Sequence, residues 1–257
     1  MWAEGYGDYD EHRGPSVRYT SYGVLSGVDH TYFRSPGEGI LIGGLAGYNV
    51  TKGELGTSPT VERRSQDIQG SMLGMYATYF HQGFALDVVA KTDLFDFDQR
   101  GLECGQTTAS TDLTNYVIAA NAYFHHSLGG GHWWEPLIGL RYVESQFGNV
   151  PATVGLHDGN ALRVMAGVRV GSDWVSADRG LWSVSFLSAL YSDVAVNGFA
   201  VAGSPTVADD EGKLRVLGQL RAKVTTIDGI TYYVQGEARG GEDYWGIGGK
   251  AGVRLEW

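Results

Sequence analysis

The sequence predicts an all-β protein, a transmembrane antiparallel up-and-down β-barrel of about 12 strands in a bacterial outer membrane. Three observations carry this expectation. Apolar residues recur at every second position over most of the chain, and the connections alternate between long and short. The closing segment sets Lys250, Arg254 and Glu256 on one face of a strand and no charge on the other.

Composition agrees. Gly accounts for 39 of 257 residues, about twice the usual share. Aromatics reach 12% and Pro only 6 residues, a mix suited to uninterrupted hydrogen-bonded ladders. No apolar run approaches the roughly 20 residues of a spanning helix. A spanning strand needs only about 9–11 residues, half of them free to be polar, so a mean hydropathy of −0.16 is compatible with a membrane barrel.

In chain order, period-two segments are expected at 2–9, 18–30, 39–50, 67–80, 83–95, 113–125, 133–145, 161–171, 181–193, 213–225, 230–239 and 244–257. Long connections follow the third, fifth, seventh and ninth segments, at 51–66, 96–112, 146–160 and 194–212. Shorter ones fall at 81–82, 126–132, 172–180 and 227–229, and the first turn, 31–37, reads as longer than these. The remaining links, 10–17 and 240–243, are short although they belong to the long side. One-sided elaboration is expected of a barrel whose outer rim alone is free to grow. A single domain over 1–257 follows, with no linker and no repeat beyond the hairpin period.

Facing is readable strand by strand. Trp245, Ile247, Gly249, Ala251, Val253, Leu255 and Trp257 form one face of the last segment. Leu214, Val216, Leu220 and Val224 oppose Arg215, Gln219, Arg221 and Lys223, and Leu162, Val164, Val168 and Val170 oppose Arg163 and Arg169. A soluble sandwich would alternate too. The barrel is favoured because small residues (Gly167, Gly171, Gly246, Gly248, Gly252) crowd the charged face and aromatics (Trp133, Trp134, Trp182, Trp245, Trp257) sit near strand ends.

On this reading Glu4, Asp29, Asp87, Lys91, Arg141, Arg163, Arg169, Arg215, Arg221, Glu237, Lys250 and Arg254 line the lumen. Such charges can stiffen the barrel as a salt-bridge network, or keep the wall too polar for a passing polypeptide to adhere. The acidic stretches Asp8-Tyr9-Asp10-Glu11 and Asp209-Asp210-Glu211 read as solvated loops, with divalent-ion binding the sharper alternative.

Other chemistry finds little support. A net charge of −10 with no basic stripe argues against nucleic acid. The lone Cys104 cannot form an internal disulfide. Neighbours such as Asp29 and His30, or His125 and His126, point to opposite faces and share no ligand. His157-Asp158 could pair with Asp209 or Asp210 as a general base at the outer rim. The serines show no nucleophile elbow, and Gly129-Gly130-Gly131 lacks the context of a phosphate loop. No catalytic site, metal or cofactor is expected.

Several segments resemble the translocator domain of autotransporters, the monomeric type V secretion proteins. They are Trp2-Ala3-Glu4-Gly5-Tyr6-Gly7, Tyr22-Gly23-Val24-Leu25-Ser26-Gly27-Val28-Asp29, Gly74-Met75-Tyr76-Ala77-Thr78-Tyr79, Ala85-Leu86-Asp87-Val88-Val89-Ala90 and Glu135-Pro136. The end, with Lys250, Gly252, Leu255 and Trp257, resembles the signal that hands outer-membrane barrels to the barrel-assembly machinery, with Trp in place of the commoner Phe. The resemblance implies a monomer in outer-membrane lipid that exports its own N-terminal passenger. It also implies an upstream helix that threads the pore. Only Met1 precedes Trp2 in this sequence, so the passenger and helix are expected to be absent from it and the lumen to be wet. A stand-alone porin or surface adhesin is the alternative.

Overall fold

The computed structural model describes residues 1–13, 16–56, 64–101, 109–148, 157–176, 180–200, 206–207 and 211–256. Its first six strands are β1 (Trp2–His12), β2 (Val17–Ser35), β3 (Glu38–Leu55), β4 (Arg64–His81), β5 (Phe84–Gly101) and β6 (Ala109–Phe124). Then come β7 (His132–Phe147), β8 (Gly159–Val175), β9 (Leu181–Asn197), β10 (Leu214–Thr225), β11 (Ile230–Gly240) and β12 (Tyr244–Leu255). Every strand pairs antiparallel with its sequence neighbours, and β1 pairs with β12 from Trp2↔Arg254 to His12↔Tyr244. The sheet is therefore a closed barrel of twelve strands, with a short piece, His126–Gly129, continuing β6 along β7 past a break at His125. Closure matters because no unpaired backbone edge survives in hydrocarbon.

The turns on one side are tight. Gln82 (φ 47°) and Gly83 (φ 90°) join β4 to β5, both left-handed as a two-residue hairpin loop of the I′ kind requires. The 31–37 segment is not a long turn. Thr31, Tyr32 and Phe33 continue the ladder opposite Leu41, Ile40 and Gly39, which leaves only Pro36 and Gly37 to reverse the chain.

Most strands overrun the length that a bilayer needs. β2 has 19 residues. Its outward Tyr22, Val24, Val28 and Tyr32 are exposed, and at about 3.3 Å per residue and a tilt near 40° the stretch rises roughly 25 Å, the height of a hydrocarbon band. Val28 (59% exposed), Met75 (67%) and Leu220 (57%) belong to this belt, a continuous apolar surface that lipid must cover.

Beyond the band the facing of apolar residues inverts. Outward positions on β4 and β5 pass from Leu73 and Leu94 to Gln69, Asp67, Asp96 and Asp98. Inward positions at the same heights become Ile68, Phe95 and Phe97, which pack with Met72 and Leu113, and Ile68, Phe97 and Leu113 are wholly buried. The solvent outside has changed from lipid to water, so the apolar side chains move inside, as in a soluble barrel. The lumen is thus packed toward the long-loop side, while Arg221 on the turn side is exposed.

Rings mark the rims of the band. Trp174 stacks on Trp182 at 6.3 Å, His126 on Trp134 at 4.9 Å, and Trp245 meets Tyr9 at 5.2 Å. Trp133 departs from expectation: it shares the inward phase of buried Glu135 and Leu137 and contacts the His125 ring at 5.1 Å. Trp257 lies outside the described residues.

Candidate functional site

The lumen wall is built from alternate residues of every strand, so its chemistry follows from strand phase. Inward acids gather on β1 and β2: Glu4, Asp8, Asp10 and Asp29. Inward bases gather on β11 and β12: Arg239, Lys250 and Arg254. Closure brings the two sets together. Lys250 lies 3.2 Å from Glu4, Arg254 donates to Asp29 at 2.6 Å, and Arg239 reaches Asp8 at 2.8 Å, Asp10 at 3.3 Å and Glu237 at 3.3 Å. Tyr244 donates to Asp10 at 2.5 Å and Tyr233 to Glu4 at 2.7 Å.

Several of these ties skip a strand. Arg239 on β11 reaches β1 over Gly246 and Gly248 of β12, where any Cβ would collide with Asp10 and Asp8. The Tyr233 phenol crosses Gly252, whose Cβ would lie 2.5 Å from the Tyr233 oxygen. Elsewhere Trp2 lies over Gly27 and donates to the Tyr76 hydroxyl at 2.6 Å, and Tyr76 covers Gly43 and donates to Asp29 at 2.5 Å. Tyr6 lies over Gly23 to reach Asn49 at 2.9 Å. Glycine thus lets long side chains lie flat along the wall instead of projecting into the bore.

A second network lines β5 to β10. Asp193, beside a register shift in β9, receives Arg163 through two bonds of 2.7 and 2.9 Å and Arg215 at 3.3 Å. Lys91 donates to Asp93 at 2.7 Å, and Arg169 pairs with Glu135. Arg215 also sits over the Tyr244 ring at 4.5 Å, which joins this network to the seam.

The structure turns Asp87, Arg163, Arg169, Arg215, Arg221, Glu237, Lys250 and Arg254 toward the lumen. Arg163, Arg169, Arg215, Glu237, Lys250 and Arg254 each meet an oppositely charged partner named above, and Arg221 lies over the Tyr233 ring at 5.1 Å. Of the carboxyl-terminal set, Lys250 and Gly252 are inward, and Leu255 faces lipid while its N–H donates to the Met1 carbonyl at 2.8 Å. Sequence reasoning missed Asp8, Asp10, Asp93, Glu135, Asp193 and Arg239. Asp8 and Asp10 are not in a loop: β1 continues through them to His12. Their even spacing from Glu4 was the signal that placed them on the same face.

Among the described residues, no group of three or more His, Cys, Asp or Glu side chains could hold a metal. His157 is exposed, and Asp158 accepts from the Phe147 N–H at 2.8 Å. Cys104, Asp209 and Asp210 lie outside the described residues.

No sequence among curated proteins matches this chain. Among solved structures, the β-domain of the Bordetella autotransporter BrkA superposes with a TM-score of 0.81 at 18% identity, covering 100% of this chain and 98% of that one. The transport unit of AIDA-I from Escherichia coli gives 0.73 at 13% identity, with 100% and 90% covered. The translocator domain of NalP from Neisseria meningitidis gives 0.66 at 13%, with 100% and 87% covered. These likenesses establish the fold. The sequence pattern of the autotransporter beta-domain matches residues 1–237. With its lipid belt, closed twelve-strand wall and charged lumen, the chain belongs to the autotransporter β-domain family and is a translocator barrel of the bacterial outer membrane.

Proposed function

We propose that this barrel exports a passenger attached to its N-terminus across the outer membrane, without nucleotide or cofactor. The observation that carries this reading is the family match over residues 1–237. The lumen agrees with it. Flattened aromatics and paired charges line part of this wall. The packed outer half, with Ile68, Phe97 and Leu113 wholly buried, disfavours the alternative of an open solute porin.

The pairing of β1 with β12 removes free strand edges, which supports a barrel that acts as a monomer. Lys250, Gly252, Leu255 and Trp257 form the address read by the barrel-assembly machinery. Deleting Trp257 should lower outer-membrane levels of the barrel, measured in membrane fractions, and unchanged levels would remove that assignment. For export, the full coding region is expressed with an epitope tag at the start of the passenger. Protease-accessible tag on intact cells is expected. A periplasmic tag beside a folded barrel, or upstream codons without a secretory signal and passenger, would refute export.

A further inference from the structure

We propose that a furrow on the lipid-facing side of the barrel, along β1, seats one acyl chain of a membrane phospholipid. Its floor follows Gly249 of β12, then Gly7, Gly5 and Ala3 of β1, then Ser26 of β2 and Ala46 of β3. These outward positions adjoin one another in the ladders through Gly7↔Gly249, Ala3↔Ser26 and Ser26↔Ala46. Tyr22, Val24 and Tyr48 stand on one side, and Tyr232, Val234 and Val253 on the other. Hollows of about 540, 560 and 670 Å³ make up the furrow. They are continuous, since the first shares Ala3 and Ser26 with the second, and the second shares Gly5 and Ala251 with the third.

The glycines of this floor differ from those that face the lumen. Inward, a Cβ on Gly23 would lie 2.5 Å from the Tyr6 hydroxyl oxygen, and one on Gly27 would lie 2.6 Å from the Trp2 indole. Those positions must be glycine for the rings to lie flat. Outward, a Cβ on Gly5 or Gly7 would find nothing closer than a backbone oxygen at 3.9 or 3.8 Å. The fold has room for side chains there and carries none, although glycine weakens a strand interior. Packing within the protein does not require the bare floor, which points to a filler from outside the chain.

The surroundings specify that filler. Val24, Val28 and Leu73 at the margins are 61%, 59% and 57% exposed and belong to the lipid belt, so the furrow opens onto hydrocarbon. No outward residue lining it is charged, and the Ser26 hydroxyl donates to the Ala46 carbonyl at 3.4 Å, which leaves no free donor for a polar ligand. The floor is one to two strands wide, about 5–10 Å. A helix with its side chains is about 10–12 Å across and would ride on the walls, whereas a single hydrocarbon chain reaches the floor. From Gly7 to Ala3 the furrow runs about 13 Å, and the two steps to Ala46 add about 5 Å each. That length accommodates a chain spanning one leaflet, half of a roughly 30 Å core. Contact along bare backbone sums many small dispersion gains and holds this chain more firmly than its neighbours in the belt.

The test uses the whole barrel purified in detergent, with phosphatidylethanolamine added in small excess and bound lipid counted by native mass spectrometry. One retained phospholipid per barrel is expected. Filling the floor with Gly5→Leu/Gly7→Leu should weaken retention about tenfold. The variant Ala120→Leu/Ala122→Leu, on small outward residues of β6, should leave it unchanged. Unaltered heat-modifiable gel mobility should show both variants folded. Equal retention in wild type and the furrow variant, no retention in wild type, or equal loss in the β6 variant overturns the proposal. A wild-type dimer that the furrow variant abolishes overturns a lipid occupant in favour of a second copy. A second measurement needs no variant: phosphatidylethanolamine with a photoreactive diazirine in its acyl chain, reconstituted with the barrel in vesicles, should cross-link preferentially to the Ala3–Gly7 stretch. Label spread evenly over the belt overturns the site.

Discussion

Arg239→Ala should open the most highly charged point of the seam. The guanidinium serves Asp8 at 2.8 Å, Asp10 at 3.3 Å and Glu237 at 3.3 Å. Removing one member of a buried ion pair costs about 3–5 kcal/mol, because the other charge is left without compensation. Two features reduce that figure here. Asp10 is only 2% exposed but keeps the Tyr244 hydrogen bond at 2.5 Å, and the Asp8 carboxylate is 29% exposed and can turn to lumen water. A loss of about 2–3 kcal/mol follows. In a reversible guanidinium titration in lipid vesicles, followed by tryptophan fluorescence, a slope near 5 kcal/mol per M turns this into a midpoint about 0.5 M lower. Adding Asp10→Asn to Arg239→Ala should recover part of the loss, since it removes a negative charge that the guanidinium had offset. A single variant within about 0.5 kcal/mol of wild type, or no recovery in the double, would refute the reasoning.

Three further outcomes test other parts of the wall with the same titration. Leu220→Lys places a charge in the middle of the lipid belt and should cost about 2–4 kcal/mol, whereas Gln219→Lys, one residue away and inward, should cost far less; similar losses would sink the facing assignment. Gly43→Val puts a Cβ 2.8 Å from that of Asp29 and into the Tyr76 ring, and should cost about 1–3 kcal/mol. Tyr76→Ala should then be partly compensating, and strictly additive losses would contradict the flat-lying arrangement. Phe97→Ala empties a wholly buried site and should cost about 3–5 kcal/mol, against under about 1 kcal/mol for the outward Leu94→Ala.

The fold was legible because lipid and lumen impose opposite chemistry on alternate residues, and all twelve strands lie where period two placed them. The strand ends were less legible. In Asp67-Ile68-Gln69 and Asp96-Phe97-Asp98 the alternation persists but its sense reverses, since these residues stand above the lipid. A polar residue outside and an apolar one inside then looks like a loop with stray apolar members. The acidic run from Asp8 to Glu11 misled for the same reason. The partners of Asp8 and Asp10 on Arg239 lie more than two hundred positions away, and only closure brings them near. Trp133 misled differently: an indole near a strand end suggests a rim, but strand phase turns it inward.

The seam also bears on how one barrel avoids its neighbours in a crowded membrane. Before closure, the first strand offers acids at Glu4, Asp8 and Asp10, and the last offers bases at Lys250 and Arg254. First strands from two copies would set like charges opposite one another, and so would two last strands. A first strand meeting a last strand forms the Glu4–Lys250 pair and brings Asp8 and Asp10 within reach of Arg239 behind the last strand. The charge pattern thus disfavours pairing like strands of two copies, and chain entropy favours closure within one chain over exchange of first and last strands between copies.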